Sequence, residues 1–243
     1  MNQKDRKQKI SWSFGGGVQS WALVAAAKNK MIEWPDVIVF ADTLAEHPQT
    51  YQFIAKHRHI MGELFKVVAP GDYKTGVQIG LLEDMRQNNK TRIPVKVGKG
   101  GYYNRTCTLY WKARRISKFL RTEYPKSPWR TGIGFSLDEV ERIKPSRVQW
   151  QTFYYPLIDL RLTRAKCAAL CLDVLGEIPI KSSCVFCPFH SVLYWRNLQA
   201  NYPLVYSDVK TLEKEIRMWE RDKSLNITRG DGQMLLCEST CWT

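Results

Sequence analysis

The residues with the clearest chemical potential are two cysteines, Cys184 and Cys187, which form a C-x-x-C followed by Pro188. Two thiolates at this spacing can hold one metal ion from a tight turn, or they can form a redox pair. His190, three residues further on, is a candidate additional ligand for a plain zinc site. The spacing alone leaves a metal site and a reactive dithiol open.

A second candidate site is the glycine-rich segment at residues 13–20, S-F-G-G-G-V-Q-S. Glycines let the backbone wrap around an anion, and the free amide groups at the start of a following helix then point at it. The segment is not the G-x-x-x-x-G-K-[ST] loop, because no lysine follows the glycines, and it lacks the third glycine of G-x-G-x-x-G. The pattern alone leaves an anion-binding loop and a purely structural turn open.

The elements that must position these residues follow from hydrophobic periodicity. Alternating strands and helices are typical of a doubly wound parallel α/β sheet, and the later part of the chain is mostly helical. Strands are predicted at residues 10–14, 37–40, 64–68 and 129–135, and helices at residues 21–27, 48–61, 109–120, 163–175, 191–200 and 204–219. A loop is predicted at residues 90–103, which are rich in Gly and Lys. The pattern predicts a nucleotide-binding α/β domain at residues 1–160 and a helical region with the C-x-x-C at residues 161–243, with a soft boundary that would also suit a single domain.

The positive charge of the chain is concentrated in residues 86–130. The 243 residues contain 37 Lys and Arg against 23 Asp and Glu, which gives a net charge of +14. Thirteen basic residues and one acidic residue, Glu123, lie in this segment, so it carries +12 of the total. Seven aromatic residues are interleaved with the charges. Basic groups neutralise phosphates and aromatic rings stack on bases, so the segment favours a polyanionic partner such as RNA, DNA or a nucleotide over a basic face that serves only solubility. A nucleic acid, tRNA or DNA, is the partner expected at this segment.

Composition excludes several classes of protein. The chain is 44% hydrophobic, enough for a substantial core, and no apolar run approaches the roughly 20 residues of a membrane span. The first nine residues are polar and basic with no apolar stretch behind them, so no secretory signal is expected. Seven cysteines are too few for a secreted disulfide scaffold of this size. We therefore expect a cytoplasmic protein with no membrane partner.

The glycine-rich segment resembles the pyrophosphate-binding loop of the PP-loop superfamily, which includes ATP pyrophosphatases, tRNA-thiolating enzymes and the PAPS and APS (sulfonucleotide) reductases. The usual loop reads S-F-S-G-G-K-D-S, so Val18 and Gln19 stand where typical ATP-cleaving members carry Lys and Asp. Three more segments resemble PAPS reductase-like members, in the same order: residues 41–43 with 48–51, residues 131–134 with Arg142, and residues 155–159.

The resemblance implies a bound adenine nucleotide, ATP or another such as PAPS. The departures at Val18 and Gln19 bear on ATP cleavage more than on nucleotide binding. The nucleotide-binding residues that the resemblance implies are Ser13, Phe14, Gly15, Gly16, Gly17, Gln19, Ser20, Asp42, Thr43, Gly132 and Arg142.

The resemblance also implies an iron–sulfur centre. Cys107 begins the sequence C-T-L-Y-W-K, which resembles the C-C-x-x-x-K segment of iron–sulfur APS reductases except that Thr108 replaces the second cysteine. Cys107, Cys184 and Cys187 would then hold a 4Fe–4S cluster with an unassigned fourth ligand. Some tRNA-thiolating members use only three cysteines and bind a sulfide on the open iron. Zinc is the alternative metal.

The remaining cysteines and histidines divide into core and tail groups. Cys167 and Cys171 lie on the apolar face of a predicted helix and are expected in the core. Cys237 and Cys241 lie in the C-terminal tail, where sulfonucleotide reductases carry a nucleophilic cysteine, although the E-C-G-[IL]-H motif of those enzymes is missing here. Cys107, Cys237 and Cys241 are the candidate catalytic thiols. His47, His57 and His59 are expected on helix surfaces.

Three functions follow from these patterns. The first is an adenine-nucleotide-dependent sulfurtransferase that thiolates a nucleic-acid base, with a sulfur donor as partner. The second is a sulfonucleotide reductase that releases sulfite with a thioredoxin-like reductant. The third is a zinc-containing nucleic-acid-binding protein with a non-catalytic loop.

Overall fold

The computed structural model describes residues 8–70, 78–97, 101–103, 106–222 and 224–228. The elements, in chain order, are β1 (Lys9–Phe14), α1 (Val18–Lys28), β2 (Val37–Ala41), α2 (Pro48–His57), β3 (Phe65–Val68), α3 (Leu81–Asn88), β4 (Val95–Val97), β5 (Tyr102–Tyr103), α4 (Arg114–Glu123), β6 (Trp129–Ile133), β7 (Gln151–Tyr154), α5 (Pro156–Asp159), α6 (Arg164–Leu175), α7 (Val192–Asn201), α8 (Pro203–Trp219) and β8 (Leu225–Asn226). A π-helical stretch, Thr108–Ala113, precedes α4.

The chain divides into two compact units. The first contains Met1–Asp42, Glu46–Ala69 and Lys112–Ser183, and the second contains Thr43–Ala45, Pro70–Trp111 and Cys184–Thr243. The units interleave along the chain, whereas the predicted ranges 1–160 and 161–243 are continuous. Helix α6, which the sequence pattern assigned to the C-terminal region, packs against α1 within the first unit.

The first unit is built on a five-stranded sheet in the order β3-β2-β1-β6-β7, with every neighbouring pair parallel. Residues of β2 alternate between two cores: Ile38 and Phe40 pack with α1, α2 and α6, whereas Val37 and Val39 pack with α4. A parallel sheet covered on both faces needs strands that are apolar throughout, and all five residues of β2 are buried. The predicted doubly wound parallel sheet is therefore confirmed, and β7 is a strand that the periodicity did not predict.

The chain order of these strands creates a switch point at β1. From β1 the chain adds β2 and then β3 on one side, and later adds β6 and β7 on the other. The loops that leave the carboxyl ends of β1 and β6 therefore run in opposite directions, which leaves a crevice between them. The glycine-rich segment leaves β1 at this crevice.

The second unit contains the antiparallel sheet β5-β4-β8 and the helices α3, α7 and α8. Strands β4 and β5 lie in the range predicted as a loop, so that prediction was wrong for these residues. The reason is burial, because Ile93 and Val95 enter the apolar core of the unit beside residues of α3, α7 and α8. Short strands in a Gly- and Lys-rich stretch give little local signal, and only this core stabilises them.

Local capping signals in helix α6 agree with the sequence prediction. Thr163 caps its amino end by accepting a hydrogen bond from the Lys166 amide, and Gly176 ends it at a φ of 78°. The histidines agree less well. His59 is exposed as expected, but His47 is buried as the cap of α2 and His57 is buried against Glu177. Within the described residues, no helix has the length and apolarity needed to cross a membrane.

Candidate anion site at the glycine turn

The glycine turn, residues 15–17, joins β1 to α1 in the first unit. Gly16 has a φ of 77°, and a Cβ placed there would lie 3.0 Å from Thr50 Cγ2. A Cβ on Gly17 would lie 3.2 Å from the Ser182 amide nitrogen. Glycine is thus required at Gly16 for backbone conformation and at Gly17 for close approach.

Two serines hold the turn in place. The Gly15 amide donates to Ser20 Oγ at 2.8 Å, and Ser182 Oγ donates to the Gly15 carbonyl. Ser182 Oγ also lies 3.4 Å from Glu46 Oε2, and the fully buried Glu46 carboxylate accepts from Lys112 Nζ at 2.8 Å. Residues distant in the sequence therefore fix the position of the turn through hydrogen bonds and an ion pair.

The amino end of α1 has no side-chain cap, because its N-cap is Gly17. The first intrahelical bond runs from the Trp21 amide to the Gly17 carbonyl. The amides of residues 17–20 consequently have no acceptor within the helix, and they carry the positive end of the helix dipole.

These amides border a cavity of about 200 Å³. The cavity combines the glycine turn and the first turn of α1 with residues that follow β6, with the first residue of α6 and with two residues that follow α6. Its lining residues are Gly15, Gly17, Val18, Gln19, Ser20, Gly134, Phe135, Glu139, Arg142, Arg164, Lys181 and Ser182. The cavity thus lies at the switch point of the sheet, where open α/β sheets bind ligands.

The charged groups of the cavity are three cations and one carboxylate. Glu139 accepts from Gln19 Nε2 at 3.0 Å through one oxygen and pairs with Arg142 through the other. The Arg142 guanidinium also stacks on the Phe135 ring, 4.4 Å from its centroid. Arg164 and Lys181 supply the other two positive charges. Cations beside a helix amino end repel its dipole, so an anion in the cavity would stabilise this arrangement.

The structure brings together five of the predicted nucleotide-binding residues. Gly15, Gly17, Gln19, Ser20 and Arg142 line the cavity. The residues that do not line it are Ser13, Phe14, Gly16, Asp42, Thr43 and Gly132.

Phe14 and Gly132 have packing roles in the first unit. The Phe14 ring makes edge-to-face contacts with Trp21, Phe40 and Phe65 in the core. A Cβ on Gly132 would lie 2.7 Å from Trp12 Cδ1, so glycine there admits the Trp12 indole.

Asp42 and Thr43, adjacent in sequence, belong to different units. Asp42 follows β2 and accepts a hydrogen bond from the Tyr51 hydroxyl at 2.7 Å. Burial, together with that hydrogen bond, raises the pKa of Tyr51 well above its ordinary value. Thr43 lies in the second unit, where its hydroxyl is 3.4 Å from Cys184 Sγ.

The C-x-x-C forms a tight turn in the second unit. The Cys187 amide donates to the Cys184 carbonyl at 3.0 Å, and the His190 amide donates to the Cys187 carbonyl at 3.1 Å. His190 Nε2 donates to the Cys184 carbonyl at 2.9 Å, and its ring stacks on Tyr194. That nitrogen of His190 is engaged by the backbone, which removes it from the set of metal-ligand candidates.

The predicted metal ligands Cys107, Cys184 and Cys187 all lie in the second unit, and all three are of intermediate exposure. Within the described residues, no three His, Cys, Asp or Glu side chains lie close enough together to hold a metal ion. The described residues thus form no such group, and the 4Fe–4S cluster and the zinc site both stay predictions. Cys237 and Cys241 lie outside the described residues.

No protein-family model matches the sequence, and no curated protein is similar to it. Among solved structures, the chain is similar to phosphoadenylyl-sulfate (PAPS) reductase from Candida auris in its phosphate complex. That similarity has a TM-score of 0.45 and 12% sequence identity, over 72% of this chain and 76% of the other. The resemblance to the PP-loop superfamily therefore rests on the sequence motifs.

Sequence reasoning missed several residues of the cavity. Arg164 follows the helix cap Thr163, but capping says nothing about where the arginine side chain lies. Lys181 and Ser182 belong to an irregular stretch before the C-x-x-C, and Ser182 meets Gly15 across 167 residues of chain. A contact at that separation leaves no local pattern that could have identified it.

Proposed function

We propose that this chain is an enzyme that binds the phosphates of an adenine nucleotide at the glycine turn and uses the nucleotide to thiolate a nucleic-acid base. The observation that carries the proposal is the cavity at the switch point, where an uncapped helix end and three cations meet. Among the lining residues, Glu139 is the one carboxylate beside these three cations. A polyanionic ligand is the species that such a group of donors favours.

The size of the cavity indicates which part of the nucleotide it takes. Pockets for whole drug-sized ligands measure roughly 300–1,000 Å³. A cavity of about 200 Å³ suits a diphosphate or triphosphate group, with the nucleoside outside it. Val18 stands where the usual loop has a lysine. Arg142, Arg164 and Lys181 supply positive charge to the site from other parts of the chain, so it remains cationic without that lysine.

The proposed reaction uses the nucleotide to turn a carbonyl oxygen into a leaving group. That oxygen, on the base, attacks the α-phosphorus of ATP and pyrophosphate leaves into the cationic cavity. A cysteine persulfide, loaded by a sulfur donor, then attacks the adenylated carbon and AMP departs with the oxygen. A second thiol attacks the resulting mixed disulfide, which leaves sulfur on the base and a protein disulfide that a thioredoxin-like dithiol reduces.

Cys184 and Cys187 are the thiols that we assign to this sulfur transfer. The tight turn holds them three residues apart, the spacing of a reducible pair, and both are partly exposed. The Thr43 hydroxyl at 3.4 Å from Cys184 Sγ is a hydrogen-bond donor for a thiolate there.

The basic segment at residues 86–130 supports a nucleic-acid substrate. Several of its charges are used inside the protein: Arg86 pairs with Asp208 and Glu215, Arg92 with Asp84, and Lys112 with Glu46. The outer face of α4, by contrast, carries exposed Arg114, Lys118 and Arg121 at positions i, i+4 and i+7, while Ile116 and Leu120 are buried beneath them. A row of cations at this spacing suits a phosphate backbone.

Calorimetric binding of ATP and of inorganic pyrophosphate tests the phosphate site. We expect Lys181→Ala to weaken both by about tenfold, the effect of one charge-assisted contact. Lys214→Ala, which removes an exposed lysine from α8, is the matched control and should leave both affinities unchanged. Equal affinities for wild type and Lys181→Ala would show that the cavity is not the phosphate site.

Mass spectrometry of tRNA and DNA nucleosides after expression tests the reaction. We expect a thio-nucleoside that depends on Cys184 and disappears in Cys184→Ala, but persists in Cys167→Ala, where the lost thiol is a core residue. Sulfite release from PAPS or APS with a thioredoxin-like reductant, without any thio-nucleoside, would instead establish a sulfonucleotide reductase and reject the thiolation proposal.

A further inference from the structure

The cavity at the glycine turn contains an anion that belongs to the protein itself. Glu139 presents both carboxylate oxygens to residues of the cavity, one to Arg142 and one to Gln19 Nε2 at 3.0 Å. Its side chain is 21% exposed, whereas that of Arg142 is 54% exposed. The more buried partner of this pair is therefore the carboxylate, and the arginine is the more exposed one.

The backbone places Glu139 at this position. It lies at a kink inside the stretch Leu137–Arg142, with φ −117° and ψ 18°, so the stretch is not one regular helix. The kink lets Glu139 and Arg142 both line the cavity. The adjacent Asp138 has a different role, because it accepts from the backbone amide of Arg164 at the start of α6.

Gln19 makes this arrangement specific to the present loop. The position is Asp in the usual PP-loop, and an aspartate cannot donate a hydrogen bond to Glu139, whereas the Gln19 amide does. Position 19 is thus an amide here, where the usual PP-loop has a carboxylate. This amide allows the Glu139 carboxylate to enter the cavity without repulsion.

We propose that Glu139 is a specificity-determining residue. Its carboxylate pairs with Arg142 when no ligand is bound, and this ion pair breaks when a polyphosphate binds. Arg142 then pairs with the ligand, and Glu139 remains hydrogen-bonded to Gln19. Because the internal carboxylate competes for the same guanidinium, only a ligand of higher charge density exchanges it efficiently. The cavity therefore favours pyrophosphate and triphosphate groups over singly and doubly charged anions. This inference rests on the proposed phosphate site.

The test is a set of binding isotherms for pyrophosphate and for orthophosphate at low salt. We expect Glu139→Gln to bind pyrophosphate about three- to tenfold more tightly than wild type, which is the range of an exposed ion pair together with the lost repulsion. The gain should be larger for orthophosphate, because a ligand of lower charge density displaces the wild-type carboxylate less efficiently. Glu139→Ala removes the carboxylate by a second route and should give the same gain.

Two controls give the experiment its specificity. Glu141→Gln removes the same charge from the same stretch at an exposed position and should change affinity by less than about twofold. In an Arg142→Gln background, the gain from Glu139→Gln should shrink to the part due to lost repulsion, because no arginine remains to be released. A thermal unfolding curve for each variant shows that it is folded.

The outcomes separate the two proposals. If wild type binds pyrophosphate and Lys181→Ala weakens that binding, two results would overturn the displacement alone: no gain in Glu139→Gln, or a gain of the same size without Arg142. If neither wild type nor Glu139→Gln binds pyrophosphate, the phosphate site and the displacement are both wrong. A gain that is clearly larger with Arg142 than without it supports both.

Discussion

Burial separates the cysteines that the structure describes into two chemical classes. Cys167 and Cys171 are fully buried between α6 and α1, and the Cys171 thiol donates to the Val18 carbonyl at 3.5 Å. Burial raises the pKa of Cys167 to about 11 and that of Cys171 to about 12. Both act as core residues, as their spacing on an apolar helix face predicted, whereas Cys107, Cys184 and Cys187 are partly exposed.

This division predicts the alkylation pattern of the protein. In a native sample treated with chelator and iodoacetamide at pH 8, we expect Cys184 and Cys187 to be modified and Cys167 and Cys171 to stay unmodified, because the thiolate is the reacting species. Peptide mass spectrometry reads each site. In urea all four should react, and modification of Cys171 at equal rates with and without urea would contradict its assignment to the core.

At the scale of elements, the second unit contains a buried carboxylate that joins α8 to the segment around β8. Glu213 accepts from the backbone amides of Ile227 and Thr228 at 2.9 and 2.8 Å and pairs with Lys210 and Arg217 at 2.9 Å. Burial opposes ionisation of Glu213, but the hydrogen bonds from Thr228, Lys210 and Ile227 outweigh it, so its pKa lies below the ordinary value. The carboxylate is thus a structural anchor for residues 225–228.

Replacing this anchor predicts a pH-dependent loss of stability. We expect Glu213→Gln to lower the free energy of unfolding by about 2 kcal/mol at pH 7, since charged hydrogen bonds to buried amides are lost. The lowered pKa means that the contribution is complete above the unfolded pKa of about 4.3 and is lost as pH falls through the folded value. Urea unfolding of wild type and variant should therefore converge at acid pH.

An exposed glutamate provides the control for this measurement. Glu123→Gln, at the carboxyl end of α4, removes the same charge from the surface and should change stability by no more than about 0.5 kcal/mol at any pH. A constant difference between wild type and Glu213→Gln from pH 7 to pH 3 would exclude the proposed ionised anchor.

At the scale of the whole molecule, only part of the net charge of +14 lies where a polyanionic partner could contact it. The basic segment is divided between the units, and ion pairs with Asp84, Asp208, Glu215 and Glu46 neutralise part of it. The outer face of α4 is the exposed part that we expect to contact phosphates.

Salt dependence of RNA binding tests this surface. Each released counterion adds to the slope of log affinity against log salt, so the triple variant Arg114→Gln, Lys118→Gln, Arg121→Gln should lower that slope by about two to three for single-stranded RNA. A control triple variant, Lys30→Gln, Arg58→Gln, Lys214→Gln, removes three exposed charges elsewhere. Equal slopes for the two triple variants in a filter-binding titration would rule out α4 as the docking face.

The amino-acid sequence by itself determined the features that depend on near neighbours. Apolar runs bounded by polar turns determined four of the five parallel strands, Thr163 and Gly176 determined the ends of α6, and three consecutive glycines determined the turn after β1. In each case the physical cause, a 3.6- or two-residue period or a left-handed φ, acts within a few residues and is visible in the sequence.

Only the tertiary structure decided what surrounds those features. The chain order of the sheet places the loops after β1 and β6 beside each other, which brings Glu139 and Arg142 to the glycine turn, and α6 brings Arg164. Tertiary contacts also decided the burial of His47 and His57, which the helix pattern had assigned to the surface. These contacts join residues up to 167 positions apart, and their energies come from packing and charge that no local pattern encodes.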